Sequence, residues 1–276
     1  MEIEAPPHWH CVDFISDLHL HGSDPLTFEA WRSYFQATAA DAVFVLGDLF
    51  EVWVGDDVLS LTDSFEQRCV AVLRTAVRRL NVYIMPGNRD FLMGSALMQA
   101  CGASFLSDPA VLTFAGERFM LTHGDALCLA DAEYQQFRAH VRSARWQQEF
   151  LQQPLAKRLE MAHAMRAQSE AHKRASVFVD VDSQATRIAL QTSNARYLIH
   201  GHTHRPETFQ QGAEGVRMVL SDWDLNAGPP RAQVLRLSRS GNGPRLERLE
   251  STAYSKDSGL TSSICDGCKA TSGASA

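Results

Sequence analysis

The sequence CVDFISDLH, residues 11–19, joins a short β-branched and aromatic run to a polar turn. Such a run favours a β-strand. The same arrangement recurs in AVFVLGD at residues 42–48, with the predicted strand at 42–46, and in NVYIMPGNRD at residues 81–90, with the predicted strand at 81–85. Segments with helical spacing, residues 26–39 and 64–80, separate the three runs. This alternation predicts a parallel sheet with helices on its faces, which is an α/β fold.

Beyond residue 110 the pattern changes to a long helical stretch and then returns to strands. Two apolar runs flank Ala115-Gly116-Glu117 and predict a hairpin. Residues 130–174 have helical spacing without strand signals. Strands are predicted again at residues 197–200, 216–220 and 232–237. We therefore predict one domain over residues 8–250, with a helical cap inserted at about residues 130–175.

The last 26 residues, 251–276, differ in composition, since 17 of them are Ser, Thr, Gly or Ala. Little in them could anchor a core, so we predict a disordered tail. Cys265 and Cys268 in this tail have the spacing of a metal-binding or redox pair, but no second pair follows. The scattered cysteines are interpreted as small apolar residues and not as a disulfide framework.

The overall composition is that of a globular protein, with 45% apolar and 21% charged residues. The sequence contains no run of about 18 apolar residues, so no membrane-spanning helix is predicted. Residues 1–10 lack the cationic start and apolar centre of a signal peptide, so a cytoplasmic location is expected. The net charge of −6 argues against general nucleic-acid binding.

Five segments place His, Asp or Asn directly after an apolar strand. Because ligands bind at the carboxyl ends of strands in an open α/β sheet, we expect these loops to meet at one edge. Together they supply seven potential metal ligands: Asp17, His19, Asp48, Asn88, His123, His202 and His204. Carboxylate, imidazole and carbonyl oxygen are a mixture that Mn²⁺-like ions accept.

Each of these residues also has an ordinary structural interpretation. A lone Asp after a strand is often a helix cap, and a single His is usually a core or surface residue. Five such loops in succession favour a shared site instead. Two metal ions roughly 3.5–4 Å apart are typical of sites for in-line phosphoryl displacement. Two ions at such a short distance repel each other, so they need a negative ligand that both share. Asp48, in the middle of the set, is the expected bridge.

These segments resemble the calcineurin-like metallophosphoesterases, whose pattern is D-x-H, G-D, G-N-H-D, H with G, and G-H-x-H. The resemblance spans roughly residues 11–240. It implies an α/β (α+β) fold, a four-layer αββα sandwich of two mixed sheets, and two Mn²⁺ ions per chain. By matching positions, one metal takes Asp17, His19, Asp48 and His204, and the other takes Asp48, Asn88, His123 and His202.

One position departs from that pattern: Arg89 stands where many members have the His that assists the leaving group. Arginine stays protonated and cannot act as a general acid. It can grip phosphate oxygens with two hydrogen bonds and stabilise the charge that develops on them. A phosphate leaving from a pyrophosphate needs no proton, whereas an alkoxide does, so Arg89 favours pyrophosphate cleavage.

Four longer motifs are ISDLHL from residue 15, GDLFEVW from residue 47, GNRDF from residue 87 and HGHTHRP from residue 200. They narrow the resemblance to the UDP-2,3-diacylglucosamine hydrolases of lipid A synthesis. The resemblance implies attack by metal-activated water on the α-phosphorus of UDP-2,3-diacylglucosamine, giving 2,3-diacylglucosamine 1-phosphate (lipid X) and UMP. It implies catalytic roles for Arg89, Asn88 and His202. Substrate contacts are implied for Asn88, Arg89, Asp131, Ser169, His202 and either Lys173 or Arg174.

The predicted cap combines positive charge with apolar residues. Residues 134–175 contain eight Lys or Arg and three acids, against the negative total of the chain. This composition fits two interpretations, a helical pair with solvated charges or a lid with a basic rim that meets lipid headgroups. The second would place the protein peripherally at the cytoplasmic face of the inner membrane.

Two other functions stay open at this point. A pyrophosphatase or phosphodiesterase for a soluble nucleotide could use the same metal site without an apolar cap. A scaffold that has lost catalysis could keep the fold, but it would be expected to lose ligands, and all seven positions are filled.

Overall fold

Strands from both halves of the chain form two β-sheets in this computed structural model, which describes residues 1–175, 179–211, 215–241 and 243–250, without the side chains of 166–175. The strands are β1 (Glu2–Glu4), β2 (Cys11–Ile15), β3 (Ala42–Leu46), β4 (Asn81–Met85), β5 (Ser104–Phe105), β6 (Ala110–Phe114), β7 (Glu117–Thr122), β8 (Tyr197–His200), β9 (Thr208–Gln211), β10 (Gly215–Val219), β11 (Trp223–Asp224), β12 (Arg231–Ser240) and β13 (Gly243–Glu250). The predicted tail, with Cys265 and Cys268, lies outside the described residues.

Helices cover the outer faces of the two sheets, and α4 to α7 lie between β7 and β8 in the sequence. They are α1 (Pro25–Ala37), α2 (Phe65–Ala76), α3 (Ser95–Cys101), α4 (Ala132–Val141), α5 (Ala144–Leu151), α6 (Leu155–Ala175) and α7 (Ser183–Thr192). The stretch predicted to be helical, residues 130–174, contains α4, α5 and most of α6. The domain boundaries themselves stay a prediction.

One sheet has the order β1-β6-β7-β8-β10-β9, and the other has the order β11-β12-β2-β3-β4-β5 with β13 also paired to β12. Strands β2, β3, β4 and β5 are parallel, as the strand–helix alternation predicted. The predicted hairpin is present as β6 and β7. Sequence reasoning missed helix α7, although Thr186 and Leu190, four residues apart, are its buried residues.

Strand β3 shows why the central strands are apolar throughout. Ala42, Phe44 and Leu46 pack in the core between the two sheets, with residues of β6 and β7. Val43 and Val45 point the other way and pack under the helices. A strand that is buried on both faces reads as a continuous apolar run.

The second sheet is covered in the same way on its outer face, where Leu190 of α7 packs against Met120 and Leu198. The layers are therefore helix, sheet, sheet and helix, which confirms the predicted αββα sandwich. Cys11, Cys69, Cys101 and Cys128 are buried free thiols, as expected. Among the described residues, no helix has the length and apolar character to cross a bilayer.

Candidate active site

The seven predicted metal ligands come together, but they come from both sheets and not from one. Asp17, Asp48 and Asn88 follow the neighbouring parallel strands β2, β3 and β4. His123 follows β7, and His202 follows β8 in the other sheet. The expectation of a single sheet edge is therefore wrong. Because the two sheets stack face to face, loops at the same end of both sheets can meet.

Five of these ligands have a backbone conformation that is rare for residues other than glycine. The φ angles of Asp17, His19, Asp48, His202 and His204 are +54°, +48°, +51°, +66° and +53°. Such residues cost about 1–3 kcal/mol each and cluster at functional sites, where the surrounding structure enforces them. The strain at this end of the sheets marks it as the functional site.

The first group of ligands is formed by Asp17, His19 and His204. The Nε2 atoms of the two imidazoles are 3.4 Å apart, and that of His204 is 3.1 Å from Asp17 Oδ1. The Nδ1 atoms face carboxylates on the opposite side. His19 Nδ1 is 2.9 Å from Glu51 Oε2, and His204 Nδ1 is 3.7 Å from Asp222 Oδ2. These carboxylates favour the tautomers whose Nε2 lone pairs face the site.

The second group is formed by Asp17, Asp48 and His123. His123 Nδ1 is 2.9 Å from the carbonyl oxygen of Leu46. Since a carbonyl only accepts, Nδ1 carries the proton and Nε2 is left with its lone pair. That Nε2 lies 2.9 Å from Asn88 Oδ1 and 3.7 Å from Asp48 Oδ1. Lone pairs that face one another in this way fit a cation between them.

Asp48, a member of the second group, is almost completely buried and also faces the first group. Its Oδ2 is 4.0 Å from His19 Nε2 in the first group, and its Oδ1 is 3.7 Å from His123 Nε2 in the second. Asp17 belongs to both groups. The donors thus fit divalent metal, and two carboxylates are placed where a pair of ions would share them.

The electrostatics of the site also favour positive charge. Burial by itself lowers the pKa of His123, but the carboxylates of Asp48, Asp17 and Asp125 raise it to about 9. Burial raises the pKa of Asp17, yet the neighbouring His204, His123 and His19 leave it well below its usual range. The buried carboxylates thus favour positive charge in the site, and a metal ion would have to compete with protons for His123.

Arg89 lies beside the metal-ligand cluster, and 14% of its side chain is exposed. Its Nη1 is 3.7 Å from Glu51 Oε1, and its backbone N–H donates to Asp48 Oδ1 at 2.8 Å. The carboxylate of Asp48, which faces both ligand groups, therefore also fixes the loop that carries Arg89.

Helix α4 is connected to the site through Asp125, which lies two residues beyond His123. Asp125 Oδ2 accepts from the Tyr134 hydroxyl and from Arg138 Nε, each at 2.7 Å. Arg142 donates to the carbonyl oxygen of Gly87 at 2.9 Å. These residues, together with Glu51 and Asp222, were not predicted as part of the site. Glu51 and Asp125 lie within the motif loops, so their proximity to the ligands in sequence was an available signal.

The predicted substrate contacts in this region have different outcomes. Asp131 is the N-cap of α4, where its Oδ1 accepts from the backbone N–H of Tyr134 at 3.0 Å. The side chains of Ser169, Lys173 and Arg174 lie outside the described part of the chain. The structure therefore brings Asn88, Arg89 and His202 together, while Asp131 has a structural partner of its own.

Gly87 allows the two central loops to approach each other. A Cβ atom at this position would lie 2.1 Å from Asp48 Oδ1 and 2.4 Å from the Asp48 backbone nitrogen. Gly87→Ala should therefore displace Asp48 and lower kcat by about 100-fold, the cost of a misplacement of roughly 1 Å. Metal titration of the apoprotein should show weaker binding.

Gly22→Ala is the matched control, because its Cβ would meet Phe65 at an ordinary 3.7 Å. We expect wild-type kcat and metal affinity from this variant. Normal metal affinity and rate in Gly87→Ala would show that the loops have more freedom than these distances indicate.

The fold, the ligand cluster and the sequence together define the class of protein. The chain belongs to the calcineurin-like phosphoesterases, a family that matches residues 12–206. Within that family it groups with the UDP-2,3-diacylglucosamine hydrolases. It is 41% identical to that enzyme of Bordetella pertussis, over 82% of this chain and 91% of the other. For the enzyme of Chromobacterium violaceum the identity is 42%, covering 79% and 92%. For that of Xanthomonas campestris it is 41%, covering 86% and 98%.

Proposed function

We propose that this chain hydrolyses the pyrophosphate of UDP-2,3-diacylglucosamine to UMP and 2,3-diacylglucosamine 1-phosphate, a step of lipid A biosynthesis. The observation that carries the proposal is the position of Arg89 at the edge of the ligand cluster, with its side chain partly exposed. The similarity to hydrolases of that name, at about two identical residues in five, supports the choice of substrate.

We propose further that the site holds two Mn²⁺ ions. The first would be held by Asp17, His19, Asp48 and His204, and the second by Asp48, Asn88, His123 and His202. Such ions would lower the pKa of water and offset the charge of the phosphate oxygens. The support is the two ligand groups, which share Asp17, and the position of Asp48 with one oxygen toward each group.

The side chains around the metals have separate tasks in this proposal. Arg89 binds oxygens of the pyrophosphate and stabilises the charge that grows on them. It transfers no proton, because its guanidinium stays protonated. Asn88 and His202, besides holding the second metal, would contact the phosphate beside it. Asn88 Oδ1 and His202 Nδ1 lie 2.9 Å apart, so both side chains face the same point. The sugar phosphate leaves as an anion and needs no general acid.

The cap is proposed to bind the acyl chains and to contact the inner membrane peripherally. Leu129, Phe137 and Leu151 are exposed apolar residues in or next to it. The predicted basic rim is smaller than expected. Arg158 is buried, and Arg138 points toward Asp125. Apolar contact is therefore the larger expected contribution, at about 0.8 kcal/mol per buried CH₂ group.

Cleavage in water labelled with oxygen-18 tests the reaction. Purified protein with Mn²⁺ and UDP-2,3-diacylglucosamine should place the label in UMP, as detected by mass spectrometry. Attack at the phosphorus nearer uridine is expected because the acyl chains stay in the cap while the metal site binds the nucleotide phosphate. Label in the sugar phosphate would overturn this direction of attack.

UDP-N-acetylglucosamine, which has no acyl chains, should be a very poor substrate in the same assay. Binding energy from remote parts of a substrate positions the reacting atoms, so its loss lowers the rate of the chemical step. If the soluble sugar nucleotide were cleaved as fast as the lipid form, a soluble-nucleotide pyrophosphatase would replace the present proposal.

A further inference from the structure

Arg158 lies at the junction between helix α6 of the cap and the loop that follows strand β3. Only 2% of its surface is exposed. An arginine is almost never buried to this extent unless it is paired. Its guanidinium is therefore committed to partners inside the protein, and it cannot belong to a basic rim that meets headgroups.

The partners of Arg158 lie in two separate segments. Its Nε donates to the carbonyl oxygen of Gln153 at 2.9 Å, just before α6. Its Nη1 donates to the carbonyl oxygen of Val54 and, at 3.0 Å, to Asp57 Oδ1, and its Nη2 donates to Asp57 Oδ2. This bidentate contact joins residues that are 101 positions apart in the sequence. It connects the start of α6 to the β3 loop.

Gly55 lets the loop backbone pass close to the guanidinium. A Cβ atom there would lie 2.5 Å from Arg158 Nη1, and the φ angle of the glycine is +128°. Residue 55 therefore accommodates both the arginine and a backbone conformation that other residues rarely adopt. A larger residue at position 55 would collide with the Arg158 guanidinium, so the glycine is needed for the contact between the loop and the arginine.

The other end of the same loop supports the active site. The backbone N–H of Trp53 donates to the carbonyl oxygen of Arg89 at 3.3 Å. Glu51 Oε2 is 2.9 Å from His19 Nδ1. The indole of Trp53 donates to Asp56 Oδ1 at 3.0 Å, which stiffens the turn between these contacts. Residues 51–57 thus contact the ligand cluster at one end and the cap helix at the other.

We propose that Arg158 is a positioning residue that sets the distance between the cap and the reacting phosphorus. The inference rests on the proposed function, because it concerns a substrate that contacts the cap and the metal site together. Because Asp57 is exposed, the ion pair is expected to add little to stability, and its bidentate geometry instead holds the two segments in one arrangement. Loss of the pair would let α6 shift relative to Arg89, and a substrate held at both ends would lose its alignment.

Arg158→Met tests the proposal, because methionine keeps an unbranched apolar side chain in the buried position. The Asp57 side chain is 56% exposed, so its carboxylate stays solvated and the variant is expected to fold. We expect kcat/KM for UDP-2,3-diacylglucosamine to fall by about 10–100-fold, the scale of a small misplacement. Hydrolysis of bis(p-nitrophenyl) phosphate, which is too small to contact both the cap and the metal site, should change by less than about threefold.

The matched control is Arg32→Met, the same substitution at an ion pair with Glu29 on the surface of α1. It should leave both substrates unaffected. An equal loss on both substrates in Arg158→Met would indicate a general structural role and overturn the proposal. Unchanged rates on both would overturn it as well.

Hydrogen exchange gives a measure that does not depend on the substrate. Arg158→Met should speed exchange of the backbone amides of residues 155–165, while strand β3 stays protected as in the wild type. Equal exchange in α6 of both proteins, or loss of protection in β3 too, would contradict the inference. If the wild type fails to cleave the lipid substrate, the proposed function is wrong. The positioning role of Arg158 is then tested only by the hydrogen exchange of α6.

Should Arg158→Met fail to fold, Asp57→Asn takes its place. This variant removes the charged partner and leaves the arginine bonded to the carbonyl oxygens of Val54 and Gln153. We expect the same selective loss on the lipid substrate, at a smaller size. No difference between the two substrates in this variant would count against the proposal.

Discussion

Asp48→Ala should abolish hydrolysis and leave the protein without its full metal content. Each oxygen of this buried carboxylate faces a different ligand group, His19 on one side and His123 on the other. Removal of a partner that only orients a metal ligand costs 10–100-fold in metal affinity or activity. Loss of a carboxylate shared by two ions should cost more than about 100-fold, and more than any other single ligand change.

Elemental analysis and metal titration check this prediction directly. Active wild-type protein should hold two ions per chain, whereas Asp48→Ala should bind fewer and more weakly. Glu66→Ala, which removes a carboxylate on helix α2, is the control and should match the wild type. One ion or none in fully active wild-type enzyme would refute the two-metal site.

Arg89→Ala should lower kcat by about 10²–10³, which is the usual cost of losing one donor to developing negative charge. The guanidinium lies next to the ligand cluster and contacts Glu51, but it is not a metal ligand. Metal content should therefore stay at the wild-type value, which separates this variant from Asp48→Ala. Steady-state kinetics with Mn²⁺ and the lipid substrate provide the measurement.

Arg89→Lys should recover only part of the lost rate. An ammonium is a point charge and cannot reproduce the two parallel hydrogen bonds of a guanidinium. Complete recovery by lysine would show that positive charge is sufficient and that the planar geometry of the arginine has no role.

Much of the sheet could be predicted from local pattern. Strands β3 and β4 begin and end at the predicted residues. Every residue of β3 is buried, and a strand buried on both faces has to be apolar along its whole length. In β4 the buried residues are Val82, Ile84 and Met85, and Pro86-Gly87 follows its last residue. Short elements at the edges, such as β1 and β9, carry weaker patterns and were missed. Strand β13 was missed as well, since its side chains are mostly only partly buried.

The sequence alone predicted the fold class and the seven candidate metal ligands, because each of them follows a strand in a short motif. Local pattern could not determine which of these side chains meet, and their grouping was only implied by the family resemblance. His19 and His204 are 185 residues apart, and their 3.4 Å contact depends on how the two sheets stack. The ion pair between Arg158 and Asp57 was equally invisible, because a charged residue in a helical pattern predicts an exposed side chain. Only the tertiary structure places that arginine in the interior, where a carboxylate and carbonyl oxygens replace the water it would otherwise bind.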